Sequence, residues 1–454
     1  MPVTTSGPRG FGLLFEMGCG KTLTAIAIAG TAYQMGKIKK VLIVAPTSVC
    51  SVWPREFADY ADFKYNVQVL LGTKQKRLAA LRSLDAFPFK ALLVAVINYE
   101  SVWRDGILEA FEAWRPDMII ADESQRIKDH QASQSKGMHR LGEIAKYKLI
   151  LSGTPIQNNA TDLFSQYLFL DSRVFGKSFY AFRGRYCIMG GFNRRQIIGY
   201  RKEHRAELIK KEHSIAYRVT KGEALDLPEQ TFLNRYIQMD KKHKAIYDQI
   251  RRDGFTELEN GGQVTAPMVL TKLTRLQQFS GGFLQTDEGN KPQFVYDGKI
   301  KALDDILEDY VISAEKKLVI FCRFRPEIDL IGELLEKKSL KYASIYGDIP
   351  IKERGAIVAD FQTNPQTMVF LAQIDTAGLG ITLTAADTCV YYSVNFNYAA
   401  YSQSLSRIHR IGQRNACTYI HLVVEGTIDE TVLKALAKKE DLAKVVVDSW
   451  RSYF

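Results

Sequence analysis

FGLLFEMGCGKTLTAIAIAG, residues 11–30, decides the reading of this chain. Phe11 to Phe15 form a nearly continuous apolar run of strand length, as suits a strand buried on both faces. A short turn follows, in which Gly18 and Gly20 let backbone N–H groups, that of Cys19 among them, wrap a phosphate chain. Lys21 stands where it reaches the outer phosphates, and the Thr22 hydroxyl stands where it can hold Mg²⁺. The apolar spacing then becomes helical, and a helix N-terminus adds its own partial positive charge. The strict P-loop pattern places a glycine six residues before the lysine; Phe15 occupies that place.

Similar short apolar runs recur outward from this stretch: VLIVA (41–45), ALLVAV (91–96), DMIIA (117–121) and YKLIL (147–151). Mixed polar and apolar segments between them have room for helices. This is a βαβ series and predicts a doubly wound parallel sheet. A second series begins after about residue 295, with KLVIFC (317–322), TMVFL (367–371), CVYY (389–392) and TYIHLVV (418–424). The expected fold class is α/β, with two doubly wound parallel-sheet domains and a helical insertion. The expected boundaries are 1–165 for the first lobe, 166–290 for the insertion and inter-lobe connection, and 291–454 for the second lobe with its tail. LDLPEQ (225–230) reads as extended, because Pro228 biases its predecessor away from helix.

Two further segments carry candidate chemistry. MIIADES (118–124) ends an apolar strand in Asp122 and Glu123. A carboxylate at such an edge can hold a metal, and its neighbour can orient or deprotonate an attacking water. SQSLSRIHRIGQR (402–414) places Arg407 and Arg410 three apart, on one face if the segment is helical. Two guanidinium forks can meet the charge developing on a transferring phosphoryl group; spacing alone allows equally a basic helix lying on nucleic acid.

Composition bounds the rest. The 454 residues are 46% hydrophobic and 24% charged, which excludes wholesale disorder and fibrous classes. Lys and Arg total 61 against 50 Asp and Glu, a formal charge of +11. Nearly all of the surplus lies between Arg173 and Gly222, where 13 cations face three acids and eight aromatics are interleaved. Cations mixed with rings are a nucleic-acid footprint, and Arg194, Arg195, Arg201 and Lys202 are the candidates within it. No two of the six cysteines lie within three residues of each other, so no zinc pair or redox motif is present and a reducing, intracellular setting is expected. No apolar run approaches a membrane span, so no membrane partner is expected.

In combination, these motifs resemble the Swi/Snf family of ATP-dependent DNA translocases, within helicase superfamily two. FEMGCGKT resembles the family's DEMGLGKT, and VLIVAPTSVCSVWPREF (41–57) resembles its next motif. ADESQRIKD (121–129) is similar to the DEAH-like motif, here reading DESQ, and LILSGTPIQNN (149–159) is nearly the family pattern. LVIFCRF (318–324), YGDIPIKER (346–354), TAGLGITLTAADTCVYY (376–392) and QSLSRIHRIGQR (403–414) follow in the family's order. The resemblance implies ATP and Mg²⁺ as cofactors, with Gly18, Cys19, Gly20, Lys21 and Thr22 on the phosphates and Thr22 and Asp122 on the metal. It implies that Glu123 serves the water and that Gly378 and Gly380 border the nucleotide from the second lobe. Ser152 and Thr154 would couple hydrolysis to DNA movement, Thr47 and Ser48 would touch DNA, and Arg407 and Arg410 would be arginine fingers. The resemblance also implies that the two doubly wound parallel-sheet domains are RecA-like; family members close two such lobes on ATP and move along duplex DNA, generally without separating its strands.

Several positions depart from the family pattern. Phe15 replaces the Asp of DEMGLGKT, Ala377 the first Gly of AGGLG, Gln373 the Ser at that motif's start, and Cys322–Arg323 the usual Ser–Gln. Ten residues precede Phe11, and the family's Gln-containing, adenine-sensing segment is not among them. The expectation is a compact bacterial or viral member, monomeric and cytoplasmic, that couples ATP hydrolysis to translocation on double-stranded DNA. The alternatives are a strand-separating helicase and a DNA-binding adaptor with weakened ATPase.

Overall fold

The computed structural model describes residues 10–87, 90–157, 159–190, 196–224, 226–253, 255–257, 263–265, 269–285, 292–379 and 381–443. Two compact units divide the chain, one of residues 1–225 with 439–454, the other of residues 226–438.

The first unit is built on β1 (Gly10–Phe15), β2 (Lys40–Ala45), β3 (Tyr65–Val69), β4 (Leu92–Asn98), β5 (Met118–Asp122), β6 (Tyr147–Leu151) and β9 (Ala216–Val219). These pair in the order β3-β4-β2-β5-β6-β1-β9, parallel throughout. Central strands are apolar on both faces because both are covered: Leu42, Val44 and Ile119 pack into one core, Val41, Ile43 and Ile120 into the other. A separate antiparallel hairpin, β7 (Cys187–Gly190) with β8 (Gln196–Tyr200), stands beyond the helices that follow β6.

The second unit contains β10 (Gln230–Ile237), two small hairpins, β11 (Phe255–Glu257) with β12 (Gln263–Thr265) and β13 (Phe283–Leu284) with β14 (Gln293–Phe294), and then β15 (Leu318–Cys322), β16 (Tyr342–Ile345), β17 (Val369–Gln373), β18 (Thr388–Tyr391) and β19 (Cys417–Val424). Its sheet runs β10-β19-β18-β15-β17-β16, again wholly parallel. The α/β class with two parallel sheets is thus the observed one. The span 166–290 is not a separate body. Its first part closes the first sheet through β9, and its second opens the second sheet through β10, because its middle carries two successive strands that each complete an edge of a different sheet. Nor is it purely helical, since β7 and β8 lie within it.

Candidate active site

Strand order brings the motifs together. β5, β6 and β1 are neighbours, with Asp122 opposite Leu151 and Leu13 opposite Leu151 across the two ladders. The turns after these three strands therefore share one carboxyl-end edge, where parallel sheets bind ligands. They carry Lys21, Asp122–Glu123 and Ser152.

The turn after β1 is shaped by glycine. Gly18 (φ 87°) and Gly20 (φ 82°) occupy the left-handed region, and a Cβ at either would meet nothing within 4 Å, so the requirement there is conformational. The helix Lys21–Gln34 starts directly after Gly20 and places Thr22 in its first turn. Lys21 Nζ donates to the carbonyls of Phe15 (2.9 Å) and Glu16 (3.2 Å). Burial lowers its pKa, opposed by the nearby charges of Glu123 and Asp122. Phe15, the departure from the strict glycine pattern, is a buried core residue whose carbonyl serves Lys21.

Asp122 is buried. Its Oδ2 accepts from the Trp53 indole (3.2 Å) and its Oδ1 from the Glu123 amide (2.9 Å). Burial first, and the Glu123 charge second, push its pKa up to about 7, against the pull of Lys21. The hydroxyl of the buried Tyr99 donates to the Asp122 carbonyl (2.8 Å). Glu123 takes a left-handed backbone (φ 51°) that costs a non-glycine residue energy and turns the chain sharply after β5. Its carboxylate accepts from the Gln125 amide. Gln125 in turn accepts from Ser152 Oγ (2.7 Å), whose oxygen also takes the Thr154 N–H (3.1 Å). One hydrogen-bonded line thus runs from Glu123 through Gln125 to the Ser152–Thr154 loop.

These oxygens suit Mg²⁺. A hard cation that keeps several waters needs only one or two carboxylates besides the phosphates. Asp122 offers one at the strand end. Among the described residues no cluster of three or more His, Cys, Asp or Glu side chains could hold a metal by itself.

The other sequence candidates fall in varied places. Thr47 begins the short helix Thr47–Cys50 and is exposed; its hydroxyl bonds Glu100 (3.3 Å) and Asn98 (3.1 Å), and Asn98 also takes Arg77 (3.0 Å). The side chain of Ser48, Gly380 as a whole, and Arg194 and Arg195 lie outside the described residues. Gly378 lies in the turn after β17. The helix Tyr398–Leu405 ends before Arg407, so Arg407 and Arg410 do not share a helical face; both sit in the tight turns that follow. Arg407 is buried and its carbonyl accepts from Leu383 N (2.9 Å), whereas Arg410 is half-buried and donates to Ile381 O (3.2 Å). Gln413 fixes this turn, donating to Ala386 O (2.8 Å) and Ile408 O (3.2 Å).

The basic segment is partly self-neutralised. Glu207 gathers Arg185 and Lys211, Asp171 holds Arg173, and Arg218 is buried against Glu16. Phe175, Phe182 and Tyr186 are core rather than surface. Arg201 and Lys202 are exposed; Arg201 lies 3.6 Å from Glu203. Sequence reasoning did not single out Gln125, Tyr99 or Arg218, and placed Trp53 in the family's second motif without a partner. The DESQ motif held a hint of the first, since a side-chain amide stands where the family has a histidine.

An SNF2-related domain model matches residues 7–281, and a helicase conserved C-terminal domain model matches residues 298–412. The chain belongs to the SNF2-related family. Among its relatives are an uncharacterized ATP-dependent helicase of Mycoplasma genitalium, 25% identical over 94% of this chain and 39% of that protein, and the DNA repair and recombination protein RDH54 of Saccharomyces cerevisiae, 26% identical over 94% of this chain and 48% of that protein. The CHD3-type chromatin-remodeling factor PICKLE of Arabidopsis thaliana is 27% identical over 95% of this chain and 32% of its own length. The chain thus spans about half or less of these SNF2-related proteins. A solved Sulfolobus solfataricus SWI2/SNF2 ATPase core in complex with dsDNA is 26% identical and aligns over 97% of this chain and 89% of its own, with a TM-score of 0.42. Among the described residues, no helix of this SNF2-related chain is long and apolar enough to cross a membrane.

Proposed function

We propose that this SNF2-related chain is a DNA-stimulated ATPase that couples ATP hydrolysis to translocation along double-stranded DNA, remodelling DNA or protein–DNA complexes. The observation that carries the reading is the line Glu123–Gln125–Ser152–Thr154 beside Lys21, with Asp122 buried at the same edge. Lys21 neutralises the outer phosphates, and Thr22 and Asp122 would hold Mg²⁺, which when bound would offset phosphate charge. Glu123 orients the attacking water and takes its proton, and Gln125 fixes the carboxylate that does so. The proton change at Glu123 alters its bond with Gln125 and so reaches Ser152 and Thr154. Arg407 and Arg410 stabilise the transition state, Gly378 and Gly380 border the nucleotide, and Thr47, Ser48, Arg201, Lys202, Arg194 and Arg195 meet the duplex. The protein acts as a monomer in a DNA-containing compartment, on the bacterial or infected-host pattern.

Steady-state ATPase with and without duplex DNA is the first test. Lys21→Ala should abolish turnover, and Glu123→Gln should bind ATP without hydrolysing it. A triplex-displacement assay should be positive and a forked-duplex unwinding assay negative. ATP-dependent release of a long complementary strand would favour the strand-separating helicase. DNA binding by wild-type protein with no turnover would favour the adaptor.

A further inference from the structure

A buried cation stands directly behind the P-loop. Arg218 belongs to β9, the last strand of the first sheet, and pairs in register with Leu14 of β1. Its side chain is 6% exposed. One guanidinium nitrogen donates to the Leu14 carbonyl (2.9 Å) and to the Gly153 carbonyl (3.1 Å), and the other to Glu16 Oε1 (3.1 Å). The second oxygen of Glu16 accepts from the Lys221 backbone amide (2.8 Å). The Glu16 amide donates to the Val219 carbonyl (2.9 Å). Residues 218–221 thus grip the turn after β1 through backbone and side chain together. Five residues beyond Lys221 the chain enters its second unit, at Asp226.

These bonds bracket the two carbonyls that hold Lys21. Leu14 O and the Glu16 carboxylate are on Arg218, and between them the Phe15 and Glu16 carbonyls are on Lys21 Nζ. The third acceptor, Gly153, lies in the SGTP loop. A Cβ at Gly153 would stand 3.3 Å from Phe15 O and 3.5 Å from Lys21 Nζ, so glycine lets this loop close on the lysine. Gly153 follows Ser152, the end of the line from Glu123. Arg218 therefore links the loop that holds the phosphate lysine to the coupling loop, from which the line through Gln125 runs on to the proposed catalytic acid.

We infer that Arg218 with Glu16 is a positioning pair that sets Lys21 for the nucleotide and ties the P-loop to the segment carrying the chain out of its first unit. The inference rests on the ATPase reading. A lysine at 218 cannot replace the fork, because its single ammonium cannot span three acceptors on three different residues.

Three variants test it: Arg218→Lys, Glu16→Gln, and Lys221→Pro. The last removes one amide donor at the first position of the short helix Lys221–Ala224, where proline is tolerated. Glu16→Gln and Lys221→Pro keep Arg218 itself, so they report even if Arg218→Lys folds poorly. Lys21 is kept in all three variants and only its placement is loosened, so the loss should fall first on phosphate binding and appear in KM. The expected result is a KM for ATP, and a dissociation constant for a fluorescent ATP analogue, raised about tenfold in each variant, as losing one charge-assisted hydrogen bond predicts, with kcat in saturating duplex within about threefold of wild type. The Arg218→Lys/Glu16→Gln double variant should be no worse than the worse single one, since both break the same link. A purely structural role predicts the opposite split: fewer active molecules, hence lower apparent kcat at unchanged KM. That split, or additive single effects, would overturn the inference while wild-type turnover upholds the ATPase reading. Wild-type protein that neither binds nor hydrolyses ATP would overturn both.

Discussion

Replacing Glu327 by glutamine should stabilise the second unit, and increasingly so as pH rises. Glu327 is fully buried in the first turn of the helix Arg325–Lys337. Its Oε2 collects three donors, the Phe324 amide (2.9 Å), the Arg323 amide (3.1 Å) and the Ser393 hydroxyl. Its Oε1 has no donor and crowds the same point beside Gly281 as the carbonyls of Gln277 and Gln278. Burial pushes its pKa from 4.5 to about 7, opposed by the three donors and by Lys299, which is itself held by Asp429 at 2.8 Å. The folded state therefore binds this proton more tightly than the unfolded state. Stability from this group is full below pH 4.5 and is lost as pH rises towards 7. At ~1.36 kcal/mol for each pH unit between those two values, the upper bound is near 3 kcal/mol. Between pH 5 and pH 8 the change is roughly 2–3 kcal/mol, on the order of 50-fold in an opening equilibrium. Glutamine keeps the accepting oxygen and has no charge to bury, so it carries no such pH dependence. Hydrogen exchange of peptides from β15 and the helix Arg325–Lys337 measures this, because variant and wild type at one pH share intrinsic exchange rates. The variant's extra protection should grow with pH as stated. Equal protection at pH 5 and pH 8, or a variant less protected at pH 8, would refute the reasoning.

Gln125→Ala should cut kcat about tenfold with little change in ATP affinity, and a double-mutant cycle with Ser152→Ala should give a coupling of ~0.5–3 kcal/mol if the two act in one line. Arg407→Ala and Arg410→Ala should each lower kcat far more than ATP affinity, by about 10³–10⁵ for a true finger, read from single-turnover hydrolysis in saturating DNA. Reversing Arg194, Arg195, Arg201 and Lys202 to Glu should weaken binding to every duplex sequence and flatten the slope of log affinity against log salt by roughly 0.9 for each phosphate left unneutralised. DNA-free turnover should stay near wild type in that variant.

What the sequence made legible, and what it hid, follows the geometry of the sheets. The interior strands β1, β2, β4, β5, β6, β15, β17, β18 and β19 all stand out as apolar runs, because both faces of an interior strand are covered. The four strands that escape such reading, β3, β9, β10 and β16, are the four edges of the two sheets. YNVQV in β3 is half-exposed, β10 leaves Phe232, Leu233 and Tyr236 open, and AYRV in β9 carries a buried arginine. An edge strand has fewer neighbours to satisfy, so its apolar signal is weak. The site divides in the same way. Glycines, lysine and strand-end acids announce themselves by spacing, since each acts near its own strand. Tyr99 and Arg218 reach their targets across the fold, as do Trp53 towards Asp122 and Gln125 towards Ser152, and no local spacing encodes those partners. The helical face expected for Arg407 and Arg410 fails for a local reason: the helix stops at Leu405, and the turn is held instead by Gln413 bonding back to Ile408 and Ala386.

The state of Lys21 sharpens what nucleotide binding has to achieve. A buried ammonium without acceptors is costly, and here two carbonyls of its own loop satisfy it. In the proposed ATPase, a phosphate arriving at the helix N-terminus can take the third N–H of the ammonium, and a closer approach draws Nζ from the two carbonyls. Gly18 and Gly20 hold the left-handed turn that a residue with a Cβ would adopt only with strain. The anchors for such a movement lie behind the loop. Leu14 O and Glu16 are held by Arg218, and the Gly153 carbonyl is held by the same guanidinium. Any shift of the loop that Glu16 shares is therefore felt at Gly153, next to the serine that touches Gln125. In the proposed ATPase, the phosphate lysine and the acid are joined by one line of contacts, through Arg218 behind the loop to Gly153 and from the neighbouring Ser152 through Gln125 to Glu123. A P-loop tied to its acid along such a line has less freedom to bind ATP with the acid misplaced, and that restriction is what the proposed motor needs if hydrolysis is to wait for the rest of its site.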